Sequence, residues 1–223
     1  MLPDFSRPIL AIDTSTSYLS IALHTDSQQF LYHEDVGPKQ SELILPHIRH
    51  LMDEADIKIS DLGAIVYAQG PGAFTGLRVG AGIAQGLATP FHIPLIGIPC
   101  LDAVAYQVKG ECILAATDAR MGEVFYAWFD TCTSQRLSDY QVGKATAIPL
   151  PENASNPQGI GNAFSLAEPP PLNGKSDMPT ASKYLVLAKT QRYPATEPAH
   201  AELLYVRNKI ALTAKEQAVR KGL

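Results

Sequence analysis

Ala68 to Ala88 reads AQGPGAFTGLRVGAGIAQGLA, and the rest of the chain takes its meaning from this stretch. Gly70-Pro71-Gly72 predicts a turn, because glycine takes positive φ and proline presets the next angle. From about Thr75, placed to cap, a helical pattern begins, with Leu77, Ile83, Ala84 and Leu87 spaced for one face. Gly76, Gly80, Gly82 and Gly86 interrupt that helix. Each costs about 1 kcal/mol against alanine in a helix interior. A helix that tolerates four of them is expected to have something packed very close to it. Two readings stand open. The loop cradles a phosphate at the helix N-terminus, or the small residues admit a neighbouring helix or a partner protein.

Working outward, Ala64 to Ala68 predicts the strand that feeds this turn, and Leu95 to Ile98 the strand that follows the helix. Upstream, Ile9 to Ile12 is a short apolar run that reads as a buried strand. It ends in Asp13-Thr14-Ser15-Thr16-Ser17, a polar turn, and Tyr18 to Leu23 returns as a second strand. Gln29 to Glu34 predicts an edge-like third strand. Gln40 to Ala55 is an amphipathic helix with Leu43, Ile44, Ile48, Leu51, Met52 and Ala55 on one face. Pro46 lies inside it, so a kink or broken turn is expected there.

Downstream a pattern recurs. Cys112 to Asp118 is again a strand ending in aspartate, and Val124 to Phe129 again returns. Two lobes that each begin with strand, acidic polar turn and strand make a duplicated architecture. The remainder is less regular. Residues 145–179 are rich in Pro, Asn, Ser and Gly and read as surface connections. Within them, Gln158 to Asn162 predicts a strand end turning into a short helix. Ala181 to Gln191 predicts a helix, Leu203 to Arg207 an extended segment, and Ile210 to Lys221 a final helix with a basic exposed face. The expected division is lobe 1 at residues 1–105 and lobe 2 at residues 106–223, with the final helix free to pack back on lobe 1.

Bulk properties narrow the function classes. The chain has 223 residues, 46% hydrophobic and 18% charged, the composition of a globular protein. A net charge of −4 gives no general drive toward nucleic acid. The three cysteines, Cys100, Cys112 and Cys132, show no CxxC spacing, which fits reduced thiols better than a disulfide framework or a zinc site. The N-terminal residues are polar and proline-broken, and no apolar run approaches the roughly 18 residues of a membrane helix. The expected location is the cytoplasm.

Four separated motifs carry a resemblance. ILAIDTSTSYLSIAL (Ile9 to Leu23), GPGAFTGLRVGAGIAQGLA (Gly70 to Ala88), DARMGEVFYAWF (Asp118 to Phe129) and YVRN (Tyr205 to Asn208) occur in an order that resembles the TsaB (YeaZ) family. The resemblance runs from Ile9 to about Lys209 and is strongest in the first 130 residues. It implies a two-lobed α/β fold of the actin, Hsp70 and sugar-kinase (ASKHA) type with a duplicated βββαβαβ core. It further implies a non-catalytic subunit in synthesis of the tRNA modification N6-threonylcarbamoyladenosine (t6A). Such a subunit pairs with TsaD, which transfers the threonylcarbamoyl group to the adenosine beside the anticodon. The ATPase TsaE joins them. A homodimer when alone, contact with tRNA only through the complex, and no membrane contact complete the expectation. A glycoprotease-like label is also attached to members of this family.

The residues are sparse in active chemistry. In ATPases of this architecture, positions corresponding to Asp13 and Asp118 meet phosphate and magnesium. Asp13, Thr14 and Asp118 are therefore read as remnants of phosphate loops, with no cofactor expected. Asp118 is followed by Ala119-Arg120-Met121-Gly122, bulky where bare backbone is wanted. Gly159-Ile160-Gly161-Asn162 is at best a remnant of a nucleoside loop. The plain reading of both aspartates is turn residues that bond their own backbone, with an ion pair from Asp118 to Arg120 or a nearby base. His47 and His50 stand three apart where catalytic relatives use four, and read as polar helix residues, with no metal expected. No G-x-S-x-G elbow or other placed nucleophile exists, so no catalytic residue is assigned.

With chemistry sparse, surfaces are expected to carry function. The two helices of lobe 1 are the candidate interface, able to form a four-helix bundle with a related subunit. The candidate contact residues are Leu45, Ile48, Met52, Arg78, Val79, Ile83 and Leu87. Arg78 is either solvated at the helix start or paired with a carboxylate across the interface. Two other classes stay open: an ATP-dependent kinase or hydrolase of the same architecture, and a peptidase.

Overall fold

The computed structural model describes residues 2–152 and 154–206. The final helix expected over Ile210 to Lys221 lies outside the described residues, as do Arg207 and Asn208.

The first lobe opens with β1 (Ile9–Asp13), β2 (Tyr18–His24) and β3 (Gln29–Asp35), followed by α1 (Gln40–Glu54). Then come β4 (Ala64–Gly70), α2 (Phe74–Ala88), β5 (Leu95–Pro99) and a short α3 (Cys100–Ala105). β1 pairs antiparallel with β2 and parallel with β4, so it lies mid-sheet. Both of its faces are covered, which is why ILAI carries no polar alternation. Leu10 and Ile12 face α1 and α2; Ile9 and Ala11 face the other way. β3 is the edge strand, as its half-polar sequence predicts.

The second lobe contains β6 (Ile113–Arg120), β7 (Glu123–Asp130), β8 (Gln135–Arg136), β9 (Gln141–Lys144), β10 (Gln158–Ile160) and β11 (Gly174–Lys175). Its central strands repeat the first lobe's pairing. β6 is antiparallel to β7 and parallel to β10; β9 lies antiparallel outside β7, and β11 parallel outside β10. The order β9-β7-β6-β10-β11 thus matches β3-β2-β1-β4-β5 in sense as well as sequence. The duplication holds for strands and fails for helices. Where lobe 1 has α1 and α2, lobe 2 has single 3-10 turns, Ala145–Ala147 and Asn162–Ser165, among the described residues.

The chain then returns. α4 (Ala181–Lys189) and β12 (Ala195–Thr196) fall within 106–223, yet α4 covers the open face of the first sheet and β12 pairs with β5. α3 was not anticipated from sequence. It joins the lobes: Cys100 and Ala103 pack with the first sheet, Leu101, Val104 and Ala105 with the second.

Two helix details differ from expectation. α2 starts at Phe74, and its N-cap is Ala73 with no side-chain cap, so Thr75 caps nothing. The start is set from outside, because the Ala73 N–H donates to the Ser15 carbonyl at 2.7 Å. α1 continues through Pro46 with no broken turn. Pro46 lies on the exposed side, where the carbonyl it leaves unpaired meets solvent.

Candidate functional site

The tip of the β1–β2 hairpin is pressed into the start of α2. The Thr14 hydroxyl donates to the Gly76 carbonyl at 2.7 Å. A Cβ at Gly76 would collide with the Thr14 carbonyl oxygen, one at Gly80 with the Thr14 hydroxyl, and one at Gly72 with the Ser15 carbonyl. The close neighbour demanded by these glycines is the chain's own hairpin, packed against the helix start. Gly82 and Gly86 behave differently. Each is exposed, with nothing within 4 Å of an added Cβ.

Asp13 and Asp118 occupy equivalent turns and do equivalent things. Asp13 Oδ1 accepts from the Ser15 N–H at 2.8 Å, and Asp118 Oδ1 from the Arg120 N–H at 2.8 Å. Asp118 also ion-pairs with Arg120 at 3.6 Å, and its N–H donates to Asn162 Oδ1 at 2.8 Å. These are the turn roles read from sequence, including the Arg120 pair. Asp13 is buried. Burial pushes its carboxyl above the usual range, against the lowering effect of the Ser15 hydrogen bonds. The Tyr184 hydroxyl, brought in by α4, lies beside Asp13 and Cys100 without hydrogen-bonding geometry to either. The Cys100 thiol is pushed up to about 12, chiefly by burial, which leaves it an unreactive thiol at neutral pH.

The nucleoside-loop remnant is filled as well. Cβ atoms at Gly159 and Gly174 would collide with the Phe164 ring, and one at Gly161 with the Ala116 carbonyl. On α1, His47 stacks on Tyr32 with ring centroids 3.6 Å apart, and His50 is exposed. Among the described residues, no three His, Cys, Asp or Glu side chains stand close enough to hold a metal.

The candidate interface residues separate into three groups. Ile48 and Met52 are 2% and 4% exposed and belong to the first lobe's own core, so they are removed from the docking face. The apolar stripe of α1 is used by its own sheet. Val79, Ile83 and Leu87 are half-buried, resting against that core with part of each side chain outward. Leu45 and Arg78 are exposed.

Two residues missed by sequence reasoning join Arg78. Its guanidinium carbon stands 3.2 Å from the Phe74 ring centroid and 5.5 Å from that of Tyr205. Phe74 was findable, since four residues separate it from Arg78 on one helix face. Tyr205 stands in the YVRN motif, but nothing local places it beside Arg78, because it arrives from the other end of the chain. It is placed by a strap over residues 198–205. Gln85 Nε2 donates to the Pro198 carbonyl at 2.9 Å, Tyr67 hydroxyl to the Glu202 carbonyl at 2.9 Å, and the Leu204 N–H to the Gln69 carbonyl at 2.8 Å. Strap and α2 enclose a groove of about 410 Å³ whose walls include Arg78, Gly82, Gln85, Glu202, Leu203 and Tyr205.

A second polar cluster sits at the lobe junction beside a cavity of about 370 Å³. Asp102 of α3 accepts from the Tyr140 hydroxyl at 2.5 Å and the Tyr193 hydroxyl at 2.8 Å. Burial raises its carboxyl, against the pull of these two hydrogen bonds.

Comparison with known proteins bears on this arrangement. Residues 32–171 match the family model described as TsaD, tRNA N6-adenosine threonylcarbamoyltransferase. The "tRNA threonylcarbamoyladenosine biosynthesis protein TsaB" of Bacillus subtilis (strain 168) is 31% identical over 155 residues, 67% of this chain and 68% of that one. The chain belongs to the TsaB (YeaZ) family.

The TsaB protein of Escherichia coli (strain K12) is 41% identical over 123 residues, 53% of each chain. The chain thus spans about half the length of the first curated TsaB relatives it matches. The solved structure titled "YeaZ from Pseudomonas aeruginosa" superposes with a TM-score of 0.81 at 29% identity, covering 89% of this chain and 99% of that one. A second, described as an uncharacterized protein with similarity to peptidase YEAZ from Pseudomonas aeruginosa, gives 0.79 at 30% identity, over 90% and 100%. With these neighbours, the duplicated strand frame is the two-lobed ASKHA-like fold of the TsaB family. Among the described residues no helix is long and apolar enough to cross a membrane.

Proposed function

We propose that the chain is a non-catalytic docking subunit in t6A synthesis. It presents the outer face of α1 and α2 to a TsaD-type subunit, with the ATPase TsaE joining the pair, and it uses the same face to self-associate when alone. It needs no cofactor, and tRNA is reached only through the complex. Lobe 1, residues 1–105 joined by the returning α4 and β12, carries the docking face.

One observation carries this reading: the two halves of the glycine stripe serve different ends. Gly72, Gly76 and Gly80 are consumed by the chain's own hairpin. Gly82 and Gly86 open outward beside Leu87, Ile83 and Arg78. Glycine exposed in a helix interior is costly, and close approach by another helix offsets that cost. The filled loops at Gly159 to Gly174 support the same conclusion, since a phosphate site needs free backbone donors.

Two measurements test it. With threonylcarbamoyl adenylate and ATP supplied, t6A formation by TsaD and TsaE on unmodified tRNA should require this chain. Titration of the isolated chain with magnesium-ATP should give neither tight binding nor turnover. Turnover by the chain alone would sink the proposal.

A further inference from the structure

Arg78 is held in a way that helix stability does not explain. A cation near the start of a helix opposes the helix dipole. α2 offers it no acidic neighbour, since FTGLRVGAGIAQGLA contains no carboxylate. Asp118–Arg120 and Arg136–Asp139 are ion pairs among the described residues, and neither involves Arg78. Glu202 stands on the opposite wall of the groove, beyond ion-pair distance. What holds the guanidinium is the face of Phe74 at 3.2 Å, with Tyr205 at 5.5 Å. Those two rings are 61% and 51% exposed, a large apolar area to leave in water around a charge.

The geometry has a chemical consequence. Arg78 donates none of the side-chain hydrogen bonds among the described residues, so its N–H fork is free to match a carboxylate through two parallel hydrogen bonds. Stacking also fixes the side chain in advance, so less conformational freedom is lost when the carboxylate arrives. Arginine flanked by aromatic rings is the composition of an interface hot spot. The groove beside it has a small-residue floor at Ala81 and Gly82 and an apolar wall at Leu203. This suits a side chain delivered from a protein surface. A polyanion would want a basic field, and the chain's net charge is −4.

We propose that Arg78, stacked on Phe74 and bordered by Tyr205, is the anchor of the docking face and takes an aspartate or glutamate carboxylate carried by the partner subunit. This rests on the docking reading above and assigns its central contact. Calorimetric titration of the full chain with its TsaD-type partner tests it, using Arg78→Ala, Arg78→Lys and, as a separate probe of the face, Gly86→Trp. Arg78 and Gly86 are exposed, and unfolding midpoints equal to wild type verify that the variants are folded.

Arg78→Ala is expected to weaken binding at least about tenfold and to flatten its salt dependence. Arg78→Lys should recover only part, since an ammonium has no fork. Affinity within about twofold of wild type for Arg78→Ala overturns the anchor. If Gly86→Trp abolishes binding while Arg78→Ala does not, the docking face stands and the carboxylate anchor falls. If neither matters, the docking reading falls too. Salt-sensitive binding of purified tRNA to the isolated chain that disappears in Arg78→Ala would assign the guanidinium to phosphate and overturn the proposal.

Discussion

Gly76 and Gly82 lie six residues apart in one helix and should respond in opposite ways to the same substitution. Gly82→Ala adds a methyl into open space and replaces a poor helix former, so it should stabilise the folded chain by about 0.5–1 kcal/mol. Gly76→Ala drives a methyl into the Thr14 carbonyl and should destabilise by about 1–3 kcal/mol, the cost of overpacking. Urea unfolding of the two variants checks both signs. Equal effects would mean that the hairpin does not hold α2 as described.

Asp13 gives a second prediction at this scale. Its folded carboxyl is raised above the unfolded value by burial. The folded state therefore binds the proton more tightly, and this contribution to stability is fully present below the unfolded value near 3.9. It is lost as pH rises through the folded value. Asp13→Asn keeps an acceptor for the Ser15 N–H and has no proton to release. It should raise the thermal midpoint at pH 7, with the gain shrinking toward pH 4. A gain independent of pH would contradict the assignment. The turn role of Asp13 was legible in sequence, because an aspartate that bonds the N–H two residues on is a local device. Its burial was not, because Tyr184 and Cys100 arrive from distant segments.

At the scale of elements, α3 joins the lobes with six residues, and Asp102 ties it to both the second-lobe loop and the returning chain through Tyr140 and Tyr193. Asp102→Ala leaves two hydroxyls without their acceptor and should cost about 1–3 kcal/mol in chemical denaturation. Asp102→Asn, which keeps an acceptor, should cost less. If both variants cost nothing, the junction is held by the packing of Leu101, Val104 and Ala105 alone. Nothing local announces this tie, since its three members come from separate stretches. The same limit explains α1. Its apolar stripe shows that Ile48 and Met52 must be buried, but not whether a sheet or a partner buries them. The sheet of the same lobe does. The start of α2 was misplaced by one residue because its cap is the Ser15 carbonyl, supplied by tertiary structure.

At the scale of the whole molecule, the duplication was legible because strand, aspartate turn and strand recur with short spacing. The loss of helices from lobe 2 follows from the proline-rich composition of 145–179, which forms 3-10 turns where lobe 1 forms α1 and α2. The return of α4 and β12 to the first sheet was not legible, since long-range pairing of a two-residue strand leaves no pattern.

The central claim is that function resides in the outer face of α2 and not in the aspartate turns. t6A formation by reconstituted TsaD, TsaE and this chain, supplied with threonylcarbamoyl adenylate, ATP and unmodified tRNA, tests it directly, comparing wild type, the Asp13→Asn/Asp118→Asn double variant, and Gly86→Trp. Activity within about threefold of wild type is expected for the double variant, whose substitutions keep the turn acceptors, and near-complete loss for Gly86→Trp. Loss of activity in the double variant with a fully active Gly86→Trp would contradict it.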